Sequence, residues 1–88
     1  MANEENTLQF PCEFVLKIFG LANEEFEITA LTIIRKHVTF MQENAIRTRH
    51  SEDKKYLALT VTLHIESREQ LDNLYRELSS SKKILMVL

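Results

Sequence analysis

Glycine, proline and cysteine each occur once in these 88 residues, and each scarcity removes a class of explanation. A lone glycine, Gly20, cannot build a P-loop or a dinucleotide-binding fingerprint, because both need several glycines to bring backbone close to phosphate. One glycine and one proline also leave no flexible linker. Cys12 has no partner for an internal disulfide, which is compatible with a reducing compartment. No apolar run approaches the roughly 18 residues of a membrane span, and Met1 to Gln9 is acidic and polar where a secretory signal is basic and then apolar. The expected location is the cytoplasm. A net charge of −2 argues against strong sequence-independent attraction to nucleic acid or anionic membrane.

What is present reads as one domain. The composition, 44% hydrophobic and 27% charged, is that of an ordinary globular chain. Residues 1–9 carry too little apolar content to pack and are expected to form a flexible tail, leaving 10–88 as the folded unit. Phe14, Leu16 and Ile18 alternate with Val15, Lys17 and Phe19 in a first strand that Gly20 ends. Asn23 is placed to cap a helix whose first turn holds Glu24, Glu25 and Glu27, where the positive end of the helix dipole favours them. Phe26, Ala30, Ile33 and His37 make one apolar stripe and Leu31, Ile34 and Val38 a second, with Arg35 and Lys36 at the negative end. Phe40 and Met41 lie in the connection that follows, placed to cover the helix end.

Ala45 to His50 predicts a modest second strand, with Ile46, Thr48 and His50 on one side and Arg47 and Arg49 on the other. Ser51 to Lys54 is the turn into the clearest strand of the chain, Tyr56 to Ile65, where Leu57, Leu59, Val61, Leu63 and Ile65 repeat at period two. A short polar connection makes these two strands antiparallel. Ser67 and Gln70 have the spacing of a capping box, and Leu71, Leu74, Tyr75 and Leu78 mark the apolar stripe of a second helix. Three serines, Ser79 to Ser81, break it, and Ile84 to Leu88 is a terminal strand that must be paired in a sheet.

The order βαββαβ predicts an α+β, ferredoxin-like sandwich: a four-stranded antiparallel sheet with two helices on one face and the first and third strands in the middle. The opposite face is then open. Val15, Lys17 and Phe19 from the first strand and Tyr56, Ala58, Thr60, Thr62 and His64 from the third point to it. A half-apolar face of this kind is either a solvated sheet or an interface, and Val15, Lys17, Phe19, Tyr56, Ala58 and Thr60 are the candidate contacts for a homodimer or protein partner. The alternative is RNA, since folds of this topology stack bases on aromatics of the two central strands; Phe19 and Tyr56 would stack while Arg47, Arg49, Lys54 and Lys55 met phosphate. Against it stand the missing glycine- and aromatic-rich signature, the net acidity, and Glu52 and Asp53 within the basic hairpin.

No metal or catalytic constellation is expected. His37, His50, His64 and Cys12 share no ligand-like spacing, and nothing beside Cys12 would lower its pKa. His37, near a helix end, reads as a structural cap on a carbonyl. No cofactor is implied, and the chain is expected not to be an enzyme. Gly20, between the first strand and the first helix, admits two readings. Either the turn needs a positive φ, or the amides of Leu21, Ala22 and Asn23 offer a small-anion site.

Taken together, Phe10-Pro11 with Phe14, Lys17 and Gly20, then Ile33-Ile34 with His37, Ser51 ahead of Tyr56, Leu74-Tyr75 with Glu77-Leu78, and the closing Met86-Val87-Leu88 resemble the YbeD-like family of small bacterial proteins. That resemblance implies a fold similar to the ACT regulatory domain, and it brings the family's usual label, lipoate-related regulation. ACT-like domains bind small effectors such as amino acids near the end of the first strand and the start of the first helix, often at a dimer interface. On this chain the resemblance puts a ligand-binding site at Phe19, Gly20, Leu21 and Asn23. The expected function is therefore a non-catalytic regulatory or binding module that dimerises or binds a protein partner, with a small metabolite as a further effector.

Overall fold

The computed structural model describes residues 9–39, 41–42 and 44–88. The elements run β1 (Cys12–Leu21), α1 (Glu24–His37), β2 (Ile46–His50), β3 (Tyr56–Ile65), α2 (Arg68–Ser80) and β4 (Met86–Val87). The four strands form one antiparallel sheet in the order β2-β3-β1-β4, so β1 and β3 are central as expected. β1 pairs with β3 along its whole length, from Cys12 opposite Ile65 to Leu21 opposite Tyr56. Strict alternation therefore carries through both strands. Leu16 and Ile18 face the same side as Leu57, Leu59, Val61, Leu63 and Ile65, and all seven are buried in one core with the inner faces of both helices.

The helices start where their caps allow. The Asn23 side chain accepts from the Phe26 amide at 2.9 Å, satisfying one of the donors that a helix start leaves open. Ser67 does the same for the Gln70 amide at 3.1 Å. Gln70 answers one residue earlier than a standard capping box: its Oε1 accepts from Glu66, at 2.6 Å, rather than from the cap residue. Its Nε2 donates to the His37 carbonyl, also at 2.6 Å. One side chain thus closes the start of α2 and the end of α1 together. Leu71, Leu74 and Leu78 are buried, and Tyr75 meets Phe14 edge to face with ring centroids 6.4 Å apart.

Several expectations change in detail. β1 begins at Cys12, two residues ahead of the alternation that starts at Phe14, and Cys12 is half-buried in it. The peptide bond between Phe10 and Pro11, just before it, is cis. β4 is two residues long rather than five, although Leu85 and Leu88 still bond to β1 through the Phe19 and Lys17 carbonyls, each at 2.8 Å. The expected tail, apart from Gln9, lies outside the described residues, as does Phe40; Met41 packs against the core.

Gly20 is the largest correction. It lies inside β1, and no glycine of the chain has a positive φ. Its missing side chain makes room for a ring: a Cβ there would stand 2.2 Å from Cδ1 of Phe26, which is itself only 1% exposed. The first core residue of α1 is seated in a notch in the strand.

Candidate functional site

The helix-covered side of the sheet is filled, and among the described residues no buried polar side chain lacks a hydrogen-bond partner. Chemistry must be sought on the open side. There the strand register sets the residues in rows: Arg49, Ala58, Phe19 and Met86 in one, Arg47, Thr60 and Lys17 in the next, then Thr62 with Val15, and His64 with Glu13. Tyr56 and Leu21 form the row at the other end. All six candidate interface residues, Val15, Lys17, Phe19, Tyr56, Ala58 and Thr60, lie on this one face. Val15 is 55% exposed, Tyr56 43% and Met86 52%, so the face holds much apolar surface in solvent. Met86 was not among the sequence candidates; its place follows from pairing opposite Phe19, which no local pattern reports.

Phe19, Tyr56, Ala58 and Arg49 outline a shallow hollow of about 200 Å3 in this face. His50, Ser51 and Leu57 complete its lining, which thus combines two aromatic residues and an alanine with one arginine. A second hollow, about 270 Å3, opens at the far end between Glu13, Asn44, Thr62 and His64. There His64 Nε2 lies 3.0 Å from a carboxylate oxygen of Glu66.

The basic hairpin is braced from within. Ser51 Oγ donates to Asp53 Oδ1 at 2.6 Å and accepts from the Tyr56 amide at 3.1 Å, while the Lys55 amide donates to the same Asp53 oxygen at 3.0 Å. The Ser51 hydrogen bond, followed by that from the Lys55 backbone, holds the Asp53 carboxyl below its ordinary pKa. Lys54, at φ 59°, takes the left-handed turn position that a glycine more often fills. Lys54 and Lys55 are therefore turn residues at the sheet's end, and only Arg47 and Arg49 of the four basic residues stand on the open face.

The four residues that the family resemblance assigns to a ligand do not line one cavity. Phe19 belongs to the open-face hollow, and Leu21 and Asn23 border a separate groove of about 240 Å3 beside Glu25, Lys83 and Leu85. Gly20 faces neither, being covered by Phe26. Two of the three amides in the anion-binding alternative for this corner are already bonded within the chain. The Ala22 amide donates to the Lys55 carbonyl at 2.9 Å and the Asn23 amide to the Leu21 carbonyl at 2.8 Å, so neither is available to an anion.

His37 does not cap a carbonyl. Its Nε2 lies 2.7 Å from Glu77 of α2, and Lys36 bonds the other oxygen of the same carboxylate. The Lys36 and then the His37 contacts lower the Glu77 pKa, a structural link between helices rather than a reactive pair. Among the described residues, no three His, Cys, Asp or Glu side chains converge as metal ligands. No described helix is long and apolar enough to cross a membrane.

Comparison with solved structures finds the ACT domain of the GTP pyrophosphokinase of Chlorobium tepidum, with a TM-score of 0.59, covering 88% of this chain and 97% of that one at 14% identity. At that identity the likeness concerns the fold, which is ACT-like. Sequence relatives are much nearer. A UPF0250 protein of Neisseria meningitidis is 41% identical, with 98% of this chain aligned to 94% of the relative. One from Janthinobacterium is 42% identical over 96% of this chain and 92% of the relative, and one from Chromobacterium violaceum is 39% identical over the full length of both. The family model described as a protein of unknown function, DUF493, matches residues 5–88. With near-complete coverage on both counts, and in agreement with the YbeD-like resemblance, the chain belongs to the DUF493, or UPF0250, family of small bacterial proteins.

Proposed function

We propose that this protein is a non-catalytic regulatory or binding module that works through the open face of its sheet, by engaging a protein partner or a second copy of itself. The observation that carries this reading is the row structure of that face: Phe19, Tyr56 and Met86 lie in neighbouring rows, Val15 stands two rows beyond Phe19, and all four are at least partly accessible on the two central strands and their edge. Contiguous apolar surface on rigid elements is where association gains free energy at least ordering cost. The ACT-like fold supports the regulatory half of the reading, since ACT domains are regulatory modules.

The test pairs Phe19→Ser with Tyr56→Ser in one variant. Both side chains lie outside the core, so stability should stay within about 1 kcal/mol of wild type. Self-association measured by sedimentation, or retention of a partner from lysate of the native bacterium, should be lost. If the double variant sediments and retains proteins as wild type does, the open face is solvated surface and the reading fails.

A further inference from the structure

Charge and shape narrow the occupant of the open face, on the premise that this face is the interaction surface proposed above. Lys17, Arg47 and Arg49 stand in two adjacent rows, and none of them pairs with an acid among the described residues. Lys36 holds Glu77 and Lys83 holds Glu25, but Lys54, Lys55 and Lys82 are without an acid partner among the described residues too, so what marks Lys17, Arg47 and Arg49 is their grouping on one face. The acid on the same face, Glu13, is two rows beyond Lys17 and opposite His64. The face is therefore basic at its centre although the chain is acidic overall. Within this basic region lies the Phe19–Tyr56–Ala58 hollow of about 200 Å3. It is smaller than the roughly 300–1,000 Å3 typical of small-molecule sites, and its size suits one large apolar side chain.

A second copy fits these features poorly. Two such faces stacked about a two-fold axis would bring one central cluster of cations against the other, with Glu13 alone to offset it. Single-stranded nucleic acid would welcome the cations, yet it needs a basic track that follows the backbone past several bases. Here the cations span only two adjacent rows, and the hairpin beyond them carries Glu52 and Asp53.

We infer that the open face receives an acidic protein segment that seats one large apolar side chain in the Phe19–Tyr56–Ala58 hollow and sets carboxylates against Arg49, Arg47 and Lys17. The hollow supplies a desolvated anchor of the kind that dominates interface energetics. The arginines, with planar forks matched to carboxylates, set which segment fits and in which direction it lies.

The experiment selects short random peptides on the immobilised full chain. Enriched sequences should place Asp or Glu around a large apolar residue. A synthetic peptide of that consensus, followed by fluorescence anisotropy, should bind with an affinity that falls as salt rises. It should weaken about tenfold or more with Phe19→Ser and with Arg47→Glu plus Arg49→Glu. The charge-reversed variant should in turn select lysine-flanked peptides, a swap that damaged folding cannot produce. Ala58→Arg separates the two contributions, since it blocks the hollow while adding positive charge; it should also abolish binding. Selection without acidic bias overturns the inference. So does tighter binding of labelled oligouridine than of the peptide, or a wild-type dimer that Ala58→Arg dissociates, and either of these leaves the open face standing as the functional surface. If the face variants alter peptide binding, oligonucleotide binding and self-association not at all, the inference and the broader reading fall together.

Discussion

On the helix side of β1 and β3, Leu16, Ile18, Leu57, Leu59, Val61, Leu63 and Ile65 are closed off from solvent; on the other side, the residues between them include Val15, Lys17, Phe19, Tyr56 and Thr60, which stay at least partly in contact with it. The two faces share one backbone and one register. What separates them is the helices: hydrophobic burial and close packing decide the inner residues, whereas the outer ones are under no such constraint. The outer face nevertheless carries aromatics, a methionine and cations without an acid partner among the described residues, and the proposed function rests on that composition. Comparing the two faces therefore separates what the chain needs to fold from what it has available for binding.

The comparison can be broken most directly at neighbouring positions. Leu59→Ala should cost about 2–5 kcal/mol in denaturant unfolding, while Thr60→Ala, one residue on and facing out, should stay within about 0.5 kcal/mol. Equal costs would mean that the outer face is part of the folding core. A second measurement sharpens the inner side. Gly20→Ala should destabilise by about 1–3 kcal/mol through overpacking against Phe26, and Phe26→Leu in the same chain should return part of that loss, giving a favourable coupling in a double-mutant cycle. Additive losses would show that the ring is not what Gly20 accommodates.

Gln70→Ala should cost about 1 kcal/mol, because it leaves the Glu66 amide and the His37 carbonyl to find other partners at once. The smallest effect concerns pH. Glu77 is held ionised in the folded state by Lys36 and His37 more readily than in the unfolded chain, so its contribution is present above the ordinary carboxylate range and lost as pH falls through the lowered folded value. Thermal melts across that acid range should therefore show a shallower loss of stability in Glu77→Gln than in wild type. A parallel pair of curves would remove the helix link from the stabilising contacts.

Much of the fold was legible because it is written locally. Period-two alternation from Leu57 to Ile65, the stripes of Phe26 and Leu71, and the caps at Asn23 and Ser67 each state their own element, and the element order then leaves few topologies. The interface candidates were legible for the same reason: once the helices are on one side, parity alone assigns Val15, Phe19 and Tyr56 to the other. What stayed hidden depended on partners distant in sequence. Met86 joins the open face only because β4 pairs with β1, and His37 reaches Glu77 across 40 positions. Gly20 misled because a lone glycine after a strand signals a turn, whereas here it answers to the volume of a phenylalanine on the following helix. Lys54 shows the converse, a left-handed turn position that the chain fills without glycine.

The fit between Gly20 and Phe26 also determines where the chain can be lengthened. Only Ala22 and Asn23 separate β1, which carries the notch, from α1, which carries the ring, and the amides of both and the capping side chain of Asn23 are already committed. One added residue in that linker would turn the start of α1 by about 100° relative to the sheet and swing the ring out of its seat. The junction thus acts as an alignment pin that has no slack, and it keeps the helix layer in fixed phase with the strands beneath it. Insertions, tags or grafted segments belong instead at the exposed tip of the 51–55 hairpin, where a longer loop would leave that phase untouched.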